Sequence, residues 1–377
     1  MDPFVADAAA EIASRSEREL EALVAVSSPS GDVDGAEEAI ALCAAFLPPQ
    51  ATVERVPCST PGSAADMLAL INGRGSGRLL LLGHVDTVIG HSSHAPLRRE
   101  GDRLYGPGTV DMKGGDVLAL GVARALATRL DSFEEVAVLF VTDEEWRVEP
   151  FRHVARFASY DACLCFEGGQ LAADGEEGVV VRRKAAGTMR VAATGRAAHS
   201  GSAPDQGRNA LLALAATAIQ ISRLHDPSGA EHLSVVPTVV RSGDAFNVVP
   251  AGGELLFDMR ADRSDSFQAV CGAVPAELDG VALDVALRRV WPGMDSRGAT
   301  RGLLERAAGR LGRPIAGVSR GGASDASHFA PSIPLTVDGL GPRGGAAHNP
   351  GEFVLAPSFR ERAEVALALA AEVLGVS

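Results

Sequence analysis

The stretch LLLLGHVDTV, residues 79–88, decides how this chain of 377 residues is read. Four consecutive leucines leave no polar face, so the run reads as a strand buried on both sides, with His84 and Asp86 just past its end. Outward from it, Met67–Ile71, Val136–Val141 and Ala162–Phe166 are further short apolar runs bounded by turn residues. Helical stretches at 114–130 and 152–158 lie between them, and residues 5–47 carry apolar positions at helical spacing with a break at SSPSGD, 27–32. Buried strands alternating with helices predict an α/β domain.

Near residue 179 the pattern changes. VVVRRKAAGTMRVAATG reads as strands with two-residue alternation, followed by an Ala/Leu helix at 207–224. LSVVPTVVRSG and GGELLFDMRA predict two more strands, 264–278 a helix and 281–290 a last strand. The order β-α-β-β-α-β is the ferredoxin-like arrangement. A helix at 357–374 closes the chain. The expected organisation is a catalytic domain of residues 1–178 and 293–377, interrupted by an inserted α+β domain at 179–292. The glycine-rich GRGSGR at 73–78 precedes a strand instead of following one, so it reads as a turn and not a phosphate loop.

The bulk properties narrow the function. A formal charge of −13 opposes binding to nucleic acid. An anionic substrate would meet the same field and need a local arginine. The 5 cysteines follow neither a disulfide framework nor zinc-pair spacing, which fits a reducing compartment. Cys163 and Cys165 read as buried strand thiols. The N-terminus lacks signal-peptide character and no window has the apolar length of a membrane span, so a cytoplasmic protein is expected.

The chemistry gathers where strands end. His84 and Asp86 follow one strand; an imidazole can bind a metal while a nearby carboxylate fixes its other nitrogen. Asp111 lies on a turn before a helix in GPGTVDMKGG. The acids Asp143, Glu144 and Glu145 end a second strand in VLFVTDEEW, and Glu167 ends a third in CLCFEGG. The crevice beyond the carboxyl ends of strands is where α/β sheets bind ligands. Two divalent cations roughly 3.5–4 Å apart need a bridging carboxylate plus oxygen and imidazole ligands. In the doublet Glu144-Glu145, one carboxylate can face a metal while its neighbour exchanges a proton with water. Alone, a His-x-Asp or a Glu-Glu pair is an ordinary surface feature; the combination is not.

Taken in order, GHVDTV, GPGTVDMKGG, TDEE, GRAAHSGSAPDQGRNAL, GGASDASHF and AAHNPGEFV, preceded by SPSGD at 28–32, resemble the co-catalytic di-zinc metallopeptidases and deacylases. That family includes acetylornithine deacetylase, succinyl-diaminopimelate desuccinylase, aminoacylase and the glutamate carboxypeptidases. The resemblance implies a mixed-sheet catalytic domain and an inserted dimerisation domain, hence a homodimer. It implies Asp111 as the bridging ligand, with His84 and Glu167 completing one metal site and Glu145 and His348 the other. Glu144 resembles the general acid/base and Asp86 the partner of His84. His199 resembles a histidine that reaches the neighbouring subunit's site to stabilise the oxyanion. Asn247 and Arg260 resemble a pair that grips a substrate carboxylate. Zinc is the metal implied, with cobalt or manganese as substitutes. One departure stands out: members usually follow the acidic doublet with a Gly-Ser turn, whereas this chain continues Trp146-Arg147-Val148-Glu149-Pro150.

The expected activity is hydrolysis of an amide in a small N-acyl amino acid or related carboxylate-bearing compound. The alternative is cleavage of another C–N bond, such as deamination of an amine-bearing, flat acid beside Trp146, or release of an amino acid from a carrier. A non-catalytic binder with the same fold is disfavoured, since every ligand position is occupied. His91, His94, His153, His225, His232 and His328 match no motif and read as structural or surface groups.

Overall fold

In the computed structural model, which describes residues 1–376, the leucine run is the strand Arg78–His84. It lies inside a six-stranded sheet ordered Thr52–Val56, Asp66–Asn72, Glu135–Val141, Arg78–His84, Ala162–Cys165 and Leu335–Val337. Arg78–His84 pairs in parallel with Glu135–Val141 on one side and Ala162–Cys165 on the other. Thr52–Val56 and Asp66–Asn72 add antiparallel pairings at one margin. The sheet is therefore mixed, and three adjacent parallel strands end at the same edge, one at His84 and the others just before the Asp143–Glu145 run and Glu167.

Burial on both faces explains the uninterrupted leucines. Leu79 and Leu81 face the main core with Val136, Val138 and Phe140, while Leu80, Leu82 and Leu139 are equally buried on the opposite face. The helices Pro3–Ala25, Gly114–Leu126 and Ser358–Leu374 pack together in that core. Asp2 caps the first of them by accepting the Phe4 N–H at 2.9 Å, with Pro3 in the first turn. Gly115 must be glycine, because a Cβ there would lie 1.8 Å from the Phe166 carbonyl oxygen. That close approach sets the helix start against the strand end bearing Glu167.

A second, small sheet completes the frame. Its order is Gly344–Gly345, Phe353–Leu355, Arg103–Tyr105 and Arg98–Glu100. The loop carrying His348 connects its first two strands, and the chain leaving Arg103–Tyr105 leads into the Asp111 turn. This pairing brings together two site residues more than 200 positions apart.

Contacts divide the chain into one unit of Met1–Arg182, Asp295–Arg320 and Ser324–Ser377, and another of Arg183–Met294 with Gly321–Ala323. The second unit has a five-stranded antiparallel sheet ordered Ser234–Ser242, Gly252–Ala261, Ala185–Thr194, Val281–Trp291 and Glu277–Leu278. The helices Ala210–Ser222 and Ser266–Gly272 pack on it around Met189, Val191, Leu214, Phe257 and Phe267.

Two of the expected helices keep only about half of their expected length. The stretch 264–278 is helical only over Ser266–Gly272, because Gly272 and Pro275 end the run and Glu277–Leu278 joins the sheet. The stretch 152–158 is a single 3-10 turn, Val154–Phe157. Its His153 is engaged by Asp66 at 2.8 Å and its Phe157 packs against Tyr160 and Phe329, so side-chain contacts dictate its path.

Candidate metal centre

The site is built from turns that the sheet ends force together. His84 is buried, with Nε2 3.2 Å from Asp111 Oδ1 and 3.9 Å from Glu167 Oε1. The other Asp111 oxygen, Oδ2, lies 3.1 Å from His348 Nε2, which is also 3.0 Å from Glu145 Oε1. Asp111 thus offers one oxygen to each imidazole, the disposition of a bridging carboxylate. Three groups of donor atoms, His84-Asp111-Glu167, His84-Glu144-Glu145 and Asp111-Glu145-His348, each converge within 4.8 Å.

The electrostatics describe a pocket short of positive charge. Burial opposes a charge on His84, but hydrogen bonds to Asp111 and Asp86 outweigh it and raise its pKa. Hydrogen bonds from its ring to the Asp111 and Glu145 carboxylates push His348 up to about 10. Burial raises both Glu144 and Glu145 above the usual carboxylate range. Imidazole nitrogens and carboxylate oxygens are donors that suit zinc and the harder divalent ions, so the residues fit the metals implied by the sequence.

Asp86 does more than orient an imidazole. Its backbone carbonyl is 3.0 Å from His84 Nδ1 and its Oδ1 3.3 Å, so it can hold the proton on Nδ1 and leave Nε2 for a metal. Its carboxylate also accepts the backbone N–H groups of Glu144 and Glu145, both at 3.1 Å, and the Ser30 hydroxyl at 2.6 Å. One buried acid thereby fixes the His84 ring and the backbone of the acidic doublet.

A second support comes from Glu352. Its carboxylate accepts the N–H groups of Gly108, Val110 and Asp111 at 3.0, 2.8 and 3.0 Å, holding the turn that presents Asp111. Burial raises its pKa to about 7. Four residues earlier, His348 has φ of 64°, in the left-handed region that His adopts more readily than most side chains. Ser30 and Glu352 escaped the sequence reading although both lie inside quoted motifs, SPSGD and HNPGEFV; their signal was a polar residue beside a ligand, with no visible partner.

The remaining candidates lie in the second unit. His199 is exposed, and its Nδ1 accepts the N–H groups of Gly201 and Ser202, both at 3.1 Å. With Nδ1 accepting, the ring proton lies on Nε2, which is left as a donor. His199 bridges Val248, and Ser200 N–H donates to the Asn247 carbonyl at 3.0 Å, so His199 and Asn247 share one corner. Arg260 is engaged: it donates twice to Asp258, at 3.1 and 3.1 Å.

Comparison with known proteins adds the family. Residues 80–372 match peptidase family M20/M25/M40. The chain belongs to this family. It is 29% identical to carboxypeptidase G2 of Pseudomonas sp. (strain RS-16) over 351 residues, covering 88% of this chain and 82% of that protein. It is 30% identical to succinyl-diaminopimelate desuccinylase of Xylella fastidiosa over 332 residues, 78% of this chain and 82% of the relative. The fold is shared with aminopeptidase PepT from Bacillus cereus, at TM-score 0.75 and 18% identity over 96% of this chain and 98% of that one. As an M20 chain it is a metal-dependent hydrolase acting on amide bonds. No helix among the described residues is long and apolar enough to cross a membrane.

Proposed function

We propose that this M20 hydrolase releases an amino acid from a small N-acyl amino acid, using two divalent metals per chain, zinc by preference with cobalt or manganese as substitutes. The observation carrying this reading is Asp111, whose two carboxylate oxygens address His84 and His348 separately. His84 and Glu167 complete one site, Glu145 and His348 the other. The metal pair, when bound, would polarise the scissile carbonyl and make an attacking water more acidic.

The chain's own residues do the rest. Glu144 belongs to neither metal's proposed ligand set; its buried carboxylate takes the proton from the attacking water and returns it to the departing nitrogen. Asp86 keeps the His84 tautomer and the doublet's backbone fixed. His199 Nε2–H donates to the carbonyl oxygen as negative charge develops there. Arg260 and Asn247 hold the substrate carboxylate; the Asp258 partner then yields to a two-point contact with substrate. The net charge of −13 makes such a local cation necessary.

The working form is a homodimer through the inserted unit. Leu212, Ala215, Ala216 and Ile219 form an exposed apolar stripe at helical spacing on Ala210–Ser222, with Leu212 65% and Ile219 64% exposed. The neighbouring strand Ser234–Ser242 pairs on one side only among the described residues and exposes Val236 and Val240. In that dimer His199 serves the opposite subunit's site.

A second reading, favoring a flat aromatic acyl group, rests on Trp146, which is 61% exposed directly after Glu145. Metal-loaded protein offered N-acetyl, N-succinyl, glutamyl and aromatic acyl amino acids separates the two readings. Release of free amino acid is expected, and an aromatic preference that Trp146→Ala removes would select the second. Absence of turnover across the panel would discard both.

A further inference from the structure

The turn after the acidic doublet departs from the family pattern and is tied down by a residue with no assigned role. Arg147 is 1% exposed. Its Nε and Nη2 donate to Asp143 Oδ1 at 2.9 and 2.8 Å, Nη2 reaches Asp325 Oδ2 at 2.8 Å, and Nη1 donates to Asp325 Oδ1. The guanidinium lies over the Phe151 ring, 4.4 Å from its centroid. Asp143 is held further by the Thr60 N–H at 2.9 Å. On its other side the same backbone is held by Asp86 through the N–H groups of Glu144 and Glu145.

A buried ion cluster is weak evidence for a gain in stability, since well-packed apolar residues often serve as well. Its location argues for a different use. Arg147 stands three residues from Glu144, and the Asp325 carboxylate is close enough for its charge to act on Glu144. A planar fork that bonds both acids fixes direction as well as charge, which a lysine would not. Asp325 is separated from Arg147 by 178 positions and precedes the short helix Ala326–Phe329, so the fork ties the doublet's turn to a distant element.

We propose that Arg147 is a positioning residue: by bridging Asp143 to Asp325 it holds Glu144 at the angle from which its carboxylate meets the attacking water. The proposal rests on Glu144 as the acid/base. Misplacing a reacting group by about 1 Å can cost on the order of 10²-fold in rate.

The test uses full-length, metal-loaded protein. Arg147→Lys keeps the charge and loses the fork. Expected are an unchanged metal content, faster amide hydrogen exchange confined to residues 142–147, and a fall in kcat of about 10–10²-fold with KM unchanged on the N-acyl amino acid the wild type prefers. Arg147→Met should be slower still. Arg124→Lys, which alters an ion pair with Glu19 in the same unit, should leave kcat alone. If Arg147→Met fails to fold, Asp325→Asn removes the distant anchor and should give the same kcat-selective loss. Wild-type exchange at Glu144 in Arg147→Lys overturns the proposal, as does faster exchange with unchanged kcat, or a loss expressed in KM or metal content. Should no compound be turned over, the substrate reading fails while exchange at Glu144 still decides the clamp.

Discussion

The two units organise their candidate site residues in opposite ways. In the first, His84, Asp86, Glu144 and Glu145 are buried, and hydrogen bonds within the unit fix the His84 ring and the backbone of the acidic doublet. In the second, His199 is exposed, and Arg260 is occupied by a neighbouring aspartate. The groups of the first unit are thus held in place in advance, whereas His199 is exposed and Arg260 already paired. Preorganisation is where electrostatic catalysis gains most, because dipoles set in advance need not reorganise during reaction. In the proposed reaction Arg260 would exchange the Asp258 carboxylate for one of the same geometry on the substrate.

The comparison predicts a graded set of outcomes. Asp111→Ala should have the largest effect, removing both metals, so elemental analysis should fall from about two per chain to none. Retention of two metals would end the bridging assignment. Glu144→Gln comes next: metal content stays, and kcat falls by roughly 10²–10⁴-fold. Near-wild-type turnover by that variant would move the role to another group. Asp86→Asn leaves every proposed ligand in place but removes a buried charge that fixes one of them, so metal affinity should drop by about 10–100-fold, read by competition with a chelator.

The smallest effect, and the sharpest contrast between units, comes from mixing. Inactive Glu144→Gln and inactive His199→Ala proteins, once subunits exchange, form a hybrid dimer with one intact site, and activity should partly return. Proven exchange without recovery would confine His199 to its own subunit or remove it from catalysis. Leu212→Asp places a charge on the exposed helix stripe and should shift sedimentation from that of the proposed dimer to that of a monomer.

The strand ends and the acids following them were legible in the sequence because each signal is local. An uninterrupted apolar run cannot be a half-exposed strand, and a polar residue directly after it needs polar partners of its own. His84, the Asp143–Glu145 run and Glu167 are therefore readable without knowing which strands are neighbours. The helix Ala210–Ser222 was equally legible, from its alanines, its leucines and the Asn209 cap that accepts the Leu212 N–H. Lengths were less so: Pro275 cut one helix, and the contacts of His153 and Phe157 reduced another to a turn.

What sequence alone determined was the inventory of donors and the strands that deliver them, since residue type and local periodicity are properties of short windows. Only the tertiary structure decided the partners. Arg147 with Asp325, Asp86 with the doublet's amides, and Glu352 with the Asp111 turn join positions 178, 58–59 and 241–244 residues apart. No local pattern encodes such pairs. They arise because burying a charge is costly unless another buried group bonds to it, and packing of the whole unit determines which group that is.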